Sequence, residues 1–590
     1  MIYHSRMMVR LISTQKFIER GKKMKKTQTS YGDAGFSQFL RMAFQRHLGH
    51  EEADFEKPVI GICNTYSEVN RCHSHLKPIV EAIKQGVIMA GGTPLEFPTI
   101  SLGEMFTSPT TMLYRNLAAM DTEEMITAQP IDGVVLIGGC DKVLPAQLMG
   151  AASANKPAIA FTGGPMNNGK YKGQTLGACS DCRFFWQEYK AGTVSEEEIK
   201  NINAQLAPTA GHCMVMGSAS TIAACAEALG MMLPGACAAP ATVNERMCLA
   251  RETGKAIVQM VENNIRPSDI MTRGAFENAV RTLMAVGGST NAVIHLIAIA
   301  RRLGIKLTLE DFERLSRTTP FIANIRPAGQ YQMEDLYHAG GIPAVLKELS
   351  PLLNLGERTV NGKTIGENLS RIEVDEVYRD IIRPIEEPLH PEGGIAVLRG
   401  NLAPNGAIMK PKAAIDKTLL KHRGKAVVFT SISDMEKRVN DPNLEVNRDN
   451  VLVLQNAGPI GAPGMPEAGM IPIPNKLLKQ GVRDMVRLSD CRMSGTAFGT
   501  VVLHASPEAA VGGAIALIKD GDWIELDVEK RSLELLISEA EMEKRRKEWN
   551  PPQFSDYQRG YGWLFRQHVL QADEGCDFDF LRPELETIFG

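Results

Sequence analysis

The sequence predicts an α/β protein: a large N-terminal parallel-sheet α/β domain, then a smaller C-terminal β-barrel-like α+β domain. Three observations carry this. Over the first two-thirds, short apolar runs alternate with segments whose apolar residues recur at helical spacing. Around residues 384–394 the text changes to Pro384, Pro388, Pro391 and Gly393-Gly394, which reads as a linker. Beyond it, strand-like segments dominate. The boundaries implied are a basic, disordered extension over 1–33, an α/β domain over 34–385 and a β-rich domain over 395–590. A chain of 590 residues is long enough for about two to four domains, each burying its own core.

The elements follow in order. Val59–Cys63 is a short apolar strand. In 75–90, Leu76, Ile79, Val80, Ile83 and Val87 fall on one helix face, and Gly91-Gly92 stops it. Residues 94–100 form a strand, and Gly133–Ile137 another. A glycine turn and a helix over 146–154 come next, then a strand over 158–161 ending in Gly163-Gly164-Pro165. Ser195 and Glu198 read as a capping box. Gly287-Gly288-Ser289-Thr290-Asn291 opens an apolar helix over 292–300, a helix mouth suited to a cap or to a substrate carboxylate. After the linker, strands are predicted over 395–398, 426–429, 451–454 and 501–504, with a hairpin-like stretch over 522–537. A charged, solvated helix spans 539–549. In parallel sheets, ligands bind at the carboxyl ends of strands.

Composition narrows the function. The chain has 65 Lys+Arg against 68 Asp+Glu, a formal charge of −3, with 44% apolar and 23% charged residues. That is an ordinary globular composition, neither disordered nor fibrous. No domain is strongly basic, so nucleic acid is not the expected partner. No apolar run approaches the ~18 residues of a membrane span. Residues 1–30 carry eight Lys and Arg against Glu19. This leader has no secretory apolar core and reads either as a disordered extension or as a start called too early, with Met24 the true start; an organellar transit peptide shares its composition. The expected compartment is the reducing cytoplasm, where cysteines are thiols or metal ligands.

The 11 cysteines are too sparse for a disulfide scaffold. Cys140, in Gly138-Gly139-Cys140-Asp141-Lys142, sits between a strand and a helix, where a helix N-terminus favours thiolate. Cys72 and Cys213 also lie in loops ahead of helices. The three would either converge on one metal centre or be buried small hydrophobes. Cys179-Ser180-Asp181-Cys182 is a lone CxxC, a redox pair or half a zinc site. Cys63, Cys225, Cys237 and Cys248 read as core; Cys576 has no visible role.

Glu104, Asp141 and Glu467 stand in loops after strands and are hard oxygen donors of the kind Mg²⁺ uses. Glu467 closes the Gly/Pro-rich loop 458–467. Ser494, within Ser489-Asp490-Cys491-Arg492-Met493-Ser494-Gly495-Thr496-Ala497, lacks a Gly-x-Ser-x-Gly elbow, so no hydrolase triad is read. A serine there needs a metal or cation to act as a base.

Together, Gly139-Cys140-Asp141-Lys142, Thr162-Gly163-Gly164-Pro165-Met166, Gly287–Asn291, Ser489–Thr496 and Ser506-Pro507-Glu508-Ala509 resemble the dihydroxy-acid and 6-phosphogluconate dehydratase family, over about 58–549. Tyr114–Leu117, Met216–Thr221 and Ser494–Thr500 resemble its sugar-acid branch, the pentonate dehydratases. The resemblance implies a hydro-lyase that converts a 2,3-dihydroxy sugar acid to a 2-keto-3-deoxy acid. It implies an iron–sulfur cluster, 2Fe–2S in preference to 4Fe–4S, on Cys72, Cys140 and Cys213. It implies Mg²⁺ on Glu104, Asp141, Glu467 and a carbamylated Lys142, with Ser494 as base and Thr496 as its hydroxyl neighbour. It also implies a homodimer or homotetramer. The alternatives are the branched-chain dihydroxy-acid dehydratase and an iron–sulfur sensor without catalysis. The chain departs from the family pattern at Arg71 and His73, which flank Cys72, at Cys491, which would sit near the cluster, and at Cys179 and Cys182, which would line the same cavity.

Overall fold

Strand β1 (Val59–Asn64), β2 (Thr93–Pro98), β3 (Gly133–Gly138) and β4 (Ala158–Thr162) form one parallel sheet in the order β2-β1-β3-β4. The computed structural model describes residues 33–49 and 51–583, so the basic extension lies, but for Asp33, outside the described residues. β3 and β4 are buried at every position, as strands covered on both faces must be. Helix α1 (Leu76–Met89) buries the predicted face, Leu76, Ile79, Val80, Ile83 and Val87. It crosses α2 (Asn244–Glu262) at paired glycines. A Cβ on Gly86 would stand 2.0 Å from the Arg251 carbonyl oxygen, and one on Gly254 2.2 Å from that of Ile83. Side chains there would force the helices apart.

The strand–helix alternation ends at β4, earlier than predicted. From Ser180 to Leu369 the chain is helical apart from short connections, and the hairpin β5 (Gly169–Tyr171) and β6 (Gln174–Leu176) comes before it. The predicted capping box is half formed: Ser195 Oγ accepts from the Glu198 N–H, while the Glu198 carboxylate pairs with Lys172. Helix α3 (Asn291–Arg302) is buried almost all round, so it runs through the core.

The C-terminal half closes fully. Strands β7 (Ala396–Gly400), β8 (Ala403–Met409), β9 (Lys421–Phe429), β10 (Val451–Leu454), β11 (Arg487–Ser489), β12 (Val501–Ser506), β13 (Trp523–Asp527) and β14 (Ser532–Leu535) make a barrel in the order β10-β11-β12-β8-β7-β14-β13-β9. Alternation with period two separates its faces. Ala426, Val428, Val451 and Val453 join the interior with residues from every other strand. Val427, Phe429, Leu452 and Leu454 pack outward against Ile471 and Met485. The parallel run β9-β10-β11-β12 sends its carboxyl ends toward one rim.

The two halves are tied together. The linker is pinned by Gly393 N–H to Ser316 O (2.9 Å) and Gly394 N–H to Met284 O (3.0 Å). The tail after the barrel returns to the sheet side: Arg115 donates to the carbonyls of Gly575 and Cys576, and Arg302 forms a fully buried pair with Asp577. The helix Glu539–Glu548 is solvated, with Met542 its buried residue.

Candidate active site

Five sheet-side residues of the site lie in loops beyond the carboxyl edge of a strand. Cys72 follows β1, Glu104 follows β2, and Cys140, Asp141 and Lys142 follow β3 after Gly139. The Cys72 and Cys140 loops are joined by His73. The N–H groups of Gly139 and Cys140 both donate to His73 Nε2 (2.9 Å each), and His73 Nδ1 donates to the Thr65 carbonyl (3.0 Å). Burial pushes the His73 pKa down to about 3, so the ring is neutral and Nε2 is free to accept. The neighbouring Cys72 thiol, with burial, pushes the Cys140 thiol well above the usual thiol range.

Lys142 is fully buried among carboxylates. Asp141 touches its Nζ, Glu104 Oε2 lies 3.6 Å away and Glu467 Oε1 3.8 Å away. Burial alone would lower the lysine's pKa, but Asp141 and Glu104 reverse that and raise it. Burial raises Glu104, and Lys142 offsets only part of this. Glu104 is fixed by Thr110 Oγ1 (2.8 Å) and by the Thr111 hydroxyl and N–H.

The barrel brings Glu467 and Ser494 to the same place. Arg492, fully buried, donates to Glu467 Oε1 (3.3 Å) and to Thr110 Oγ1 (3.0 Å), so it bridges a barrel carboxylate to the threonine that holds a sheet-side one. The 458–467 loop is anchored by buried acids. Asp490 accepts from Ala457 N–H, and Glu508 from the Ile460 and Gly461 N–H groups (2.9 Å each). Gly464 lies so close to the chain at Leu113 that a Cβ would stand 2.4 Å from its nitrogen.

Ser494 and Thr496 share a hydrogen bond of 2.9 Å. Between them, Gly495 lies against the sheet side, where a Cβ would stand 2.6 Å from Ser218 N and from Ser289 Oγ. Asn291 Nδ2 donates to Ser218 Oγ (2.9 Å) and reaches Glu467 Oε1 (3.4 Å). A chain of contacts thus links the serine loop to the carboxylate cluster. The 287–291 turn is capped differently from the prediction: Thr290 is the N-cap but makes no capping bond, and Ser289 Oγ accepts from Asn291 N–H instead.

The other cysteines sort unevenly. Cys213 lies 3.2 Å, sulfur to sulfur, from Cys179, so Cys179 adjoins a predicted ligand. Cys491 is buried on the barrel's outer apolar side, bonded to Ser489. Cys63, Cys225 and Cys237 are buried as expected; Cys248 is exposed, against expectation, because it faces solvent from α2. Among the described residues, no group of three or more His, Cys, Asp or Glu already stands in metal-binding proximity. The donor chemistry nevertheless fits both implied groups: hard carboxylates converge on Lys142, and soft thiols meet at Cys72 and Cys140.

Comparison with known proteins decides the family. A model described as dihydroxy-acid/6-phosphogluconate dehydratase N-terminal matches residues 57–368, and its C-terminal counterpart matches 380–576. This chain belongs to that dehydratase family. As such it is a hydro-lyase. An L-arabinonate dehydratase of Rhizobium leguminosarum bv. trifolii is 48% identical, over 94% of this chain and 96% of its own. A 6-deoxy-6-sulfo-D-gluconate dehydratase of Pseudomonas putida is 46% identical, over 89% and 91%. A dihydroxy-acid dehydratase of Halothermothrix orenii is 42% identical, over 92% and 98%. No described helix is long and apolar enough to cross a membrane.

Sequence reasoning missed His73 as a brace, Arg492 as a bridge, and Asp490 and Glu508 as loop anchors. The available signal was position: each is a charged or imidazole group within three residues of a glycine-rich or ligand-bearing turn, or in the Ser506–Ala509 motif.

Proposed function

We propose that this dehydratase acts on an aldonic acid, a pentonate, and yields the 2-keto-3-deoxy acid. The observation that carries the reading is the polar wall between the serine loop and the carboxylates: Ser218, Ser289, Asn291 and Thr496, with Thr290 Oγ1 and Asn291 Oδ1 buried and unpartnered. A polyhydroxylated acid would satisfy such groups. A branched apolar acid would leave them unpaired, at about 1–3 kcal/mol per group. The sugar-acid names of the relatives at 46–48% identity point the same way.

In this reading Ser494 takes the C2 proton, with Thr496 holding its oxygen in line, and Asn291 and Arg492 keep Glu467 in place. The C3 hydroxyl departs as water, the proton taken by Ser494 balancing the one it gains, and the enol becomes the keto acid. Mg²⁺ on Glu104, Asp141, Glu467 and carbamylated Lys142 would supply charge for the enolate and the serine alkoxide, and a 2Fe–2S or 4Fe–4S cluster on Cys72, Cys140 and Cys213 would supply a Lewis-acidic iron. The exchange is electrostatically even: a carbamate's one negative charge and the ion's two positives equal the ammonium's one positive. The exposed Val69, Met105 and Phe106 flank Cys72 and Glu104, a surface available to a second copy in a homodimer or homotetramer.

A panel of pentonates, hexonates and 2,3-dihydroxy-3-methylbutanoate, assayed for 2-keto acid, tests the substrate class. Turnover of the branched acid alone would overturn it. Ser494→Ala should lower kcat by about 10²–10⁴ with the fold intact; wild-type turnover in that variant would remove the base assignment.

A further inference from the structure

The thiol pair Cys179–Cys213 lies outside the chemistry above, although Cys213 itself does not. Cys179 starts the helix Ser180–Ala191 with φ 68° and ψ −42°, and the Ser180 N–H donates to the Ala178 carbonyl at 2.9 Å. That is a γ-turn of the rare, strained form. A β-carbon residue persists there only when its surroundings hold it. They do: Ala178 N–H donates to Met214 Sδ (2.9 Å), Gly177 N–H to Asp181 Oδ2 (2.6 Å), and Arg326 pairs with Asp181 at 2.7 Å. The result is that Cys179 Sγ stands 3.2 Å from Cys213 Sγ. Closing that gap to the ~2.05 Å of a disulfide takes about an ångström of side-chain movement.

We propose that Cys179 and Cys213 form a reversible disulfide, with a low-molecular-weight disulfide as the oxidant. The Cys179 thiolate attacks the small disulfide, joins one of its sulfurs and releases the other as a thiol. The Cys213 thiolate then attacks Cys179 Sγ, forms the Cys179–Cys213 bond and expels the second small thiol. The two electrons pass to the small disulfide, and the protons of the two protein thiols end on the two thiols released. Cys182 is the competing partner in the CxxC: its thiol also neighbours that of Cys179 and donates to the Cys179 carbonyl at 3.1 Å, so the two pairings are what the test must separate. All three thiols are half-buried, so a small oxidant can reach them. A consequence rests on the reading of Cys213 as a cluster ligand: the disulfide removes that thiolate and blocks cluster assembly until it is reduced.

The test uses the full chain without cluster, exposed to oxidised glutathione, and then trypsin and mass spectrometry without reductant. The expected product loses two hydrogens and joins the peptide 173–183 to the peptide 201–246, with fragmentation placing the bond at Cys213. Cys182→Ser should keep the crosslink and Cys179→Ser should abolish it. An intrapeptide Cys179–Cys182 bond, or no crosslink, would overturn the proposal. Iron and sulfide uptake is then counted before and after oxidation. Uptake that falls to background and returns with reductant supports the consequence. A crosslink with unchanged uptake keeps the disulfide and overturns the ligand role of Cys213 instead.

Discussion

On the sheet side of the site, Cys140, Asp141 and Lys142 follow β3 after the single residue Gly139, and that strand is buried at every position. On the barrel side, Glu467 closes a long Gly/Pro loop after β10, and Ser494 stands in a loop after β11. The sheet places its proposed ligands in short turns at strand ends, braced by the His73 side chain and by Thr110 and Thr111. The barrel positions its residues by buried side chains, namely Asp490, Arg492 and Glu508. Sheet-side substitutions should therefore strike the ligands themselves, and barrel-side ones should act through loosened loops.

The largest break is at Lys142. In the metal-free, uncarbamylated chain, Lys142→Met keeps length and removes charge, so Glu104, Asp141 and Glu467 lose the ammonium they surround. Removing one partner of a buried ionic cluster costs roughly 3–5 kcal/mol. Turnover should vanish, and the urea midpoint should fall. A variant as stable as the wild type would show that the carboxylates do not depend on the lysine.

Arg492→Lys probes the barrel side. A lysine retains the charge but cannot span Glu467 and Thr110 as the guanidinium fork does. Such outer contacts are worth about 10–100-fold in metal affinity or activity. The expected outcome is a lower kcat in that range with a raised Mg²⁺ requirement, and little change in stability beside Lys142→Met.

His73→Phe separates the thiol half from the carboxylate half. It strands the Gly139 and Cys140 N–H groups, at about 1–3 kcal/mol. Iron content should fall while the Mg²⁺ dependence of the remaining activity holds. If both change together, the two halves are not independently braced.

The same contrast explains what was legible in the sequence. β1, β3 and β4 are apolar on both faces, so their runs stand out. β8 begins Ala403-Pro404-Asn405-Gly406, which reads as a turn, and β11 is three residues containing the buried Arg487; both strands escaped the sequence reading, although the barrel-like character of the domain did not. Glu104, Asp141, Lys142 and Glu467 were found through donor chemistry and family likeness, and they do come together. His73, Arg492 and Glu508 were not, because a charged or imidazole residue in a polar loop reads as solvent-facing until the fold shows it buried.

The smallest expected effect compares two buried glutamates, one on each side. Burial pushes Glu227, on the sheet side, and Glu508, on the barrel side, up to about 7. Glu227 accepts from the Gly235 and Cys237 N–H groups, away from the site. Between the ordinary carboxylate value and about 7, the folded chain binds more protons than the unfolded one. Stability contributed by each protonated carboxyl is therefore complete below the unfolded value and is lost as pH rises toward 7, by up to roughly 3 kcal/mol each. Urea denaturation at pH 5 and pH 7.5 should show that loss, and Glu227→Gln and Glu508→Gln should each flatten it. Activity separates them. Glu508 Oε2 accepts from the Ile460 and Gly461 N–H groups and Oε1 from Ile460 and from Gln571 Nε2, and a glutamine has a single acceptor oxygen, so Glu508→Gln should loosen the anchor of the 458–467 loop and lower kcat by about one hydrogen bond's worth, roughly tenfold. Glu227→Gln should leave kcat unchanged. An unchanged kcat in both variants would mean that the barrel loop is held by its own glycine and proline geometry rather than by its buried anchor.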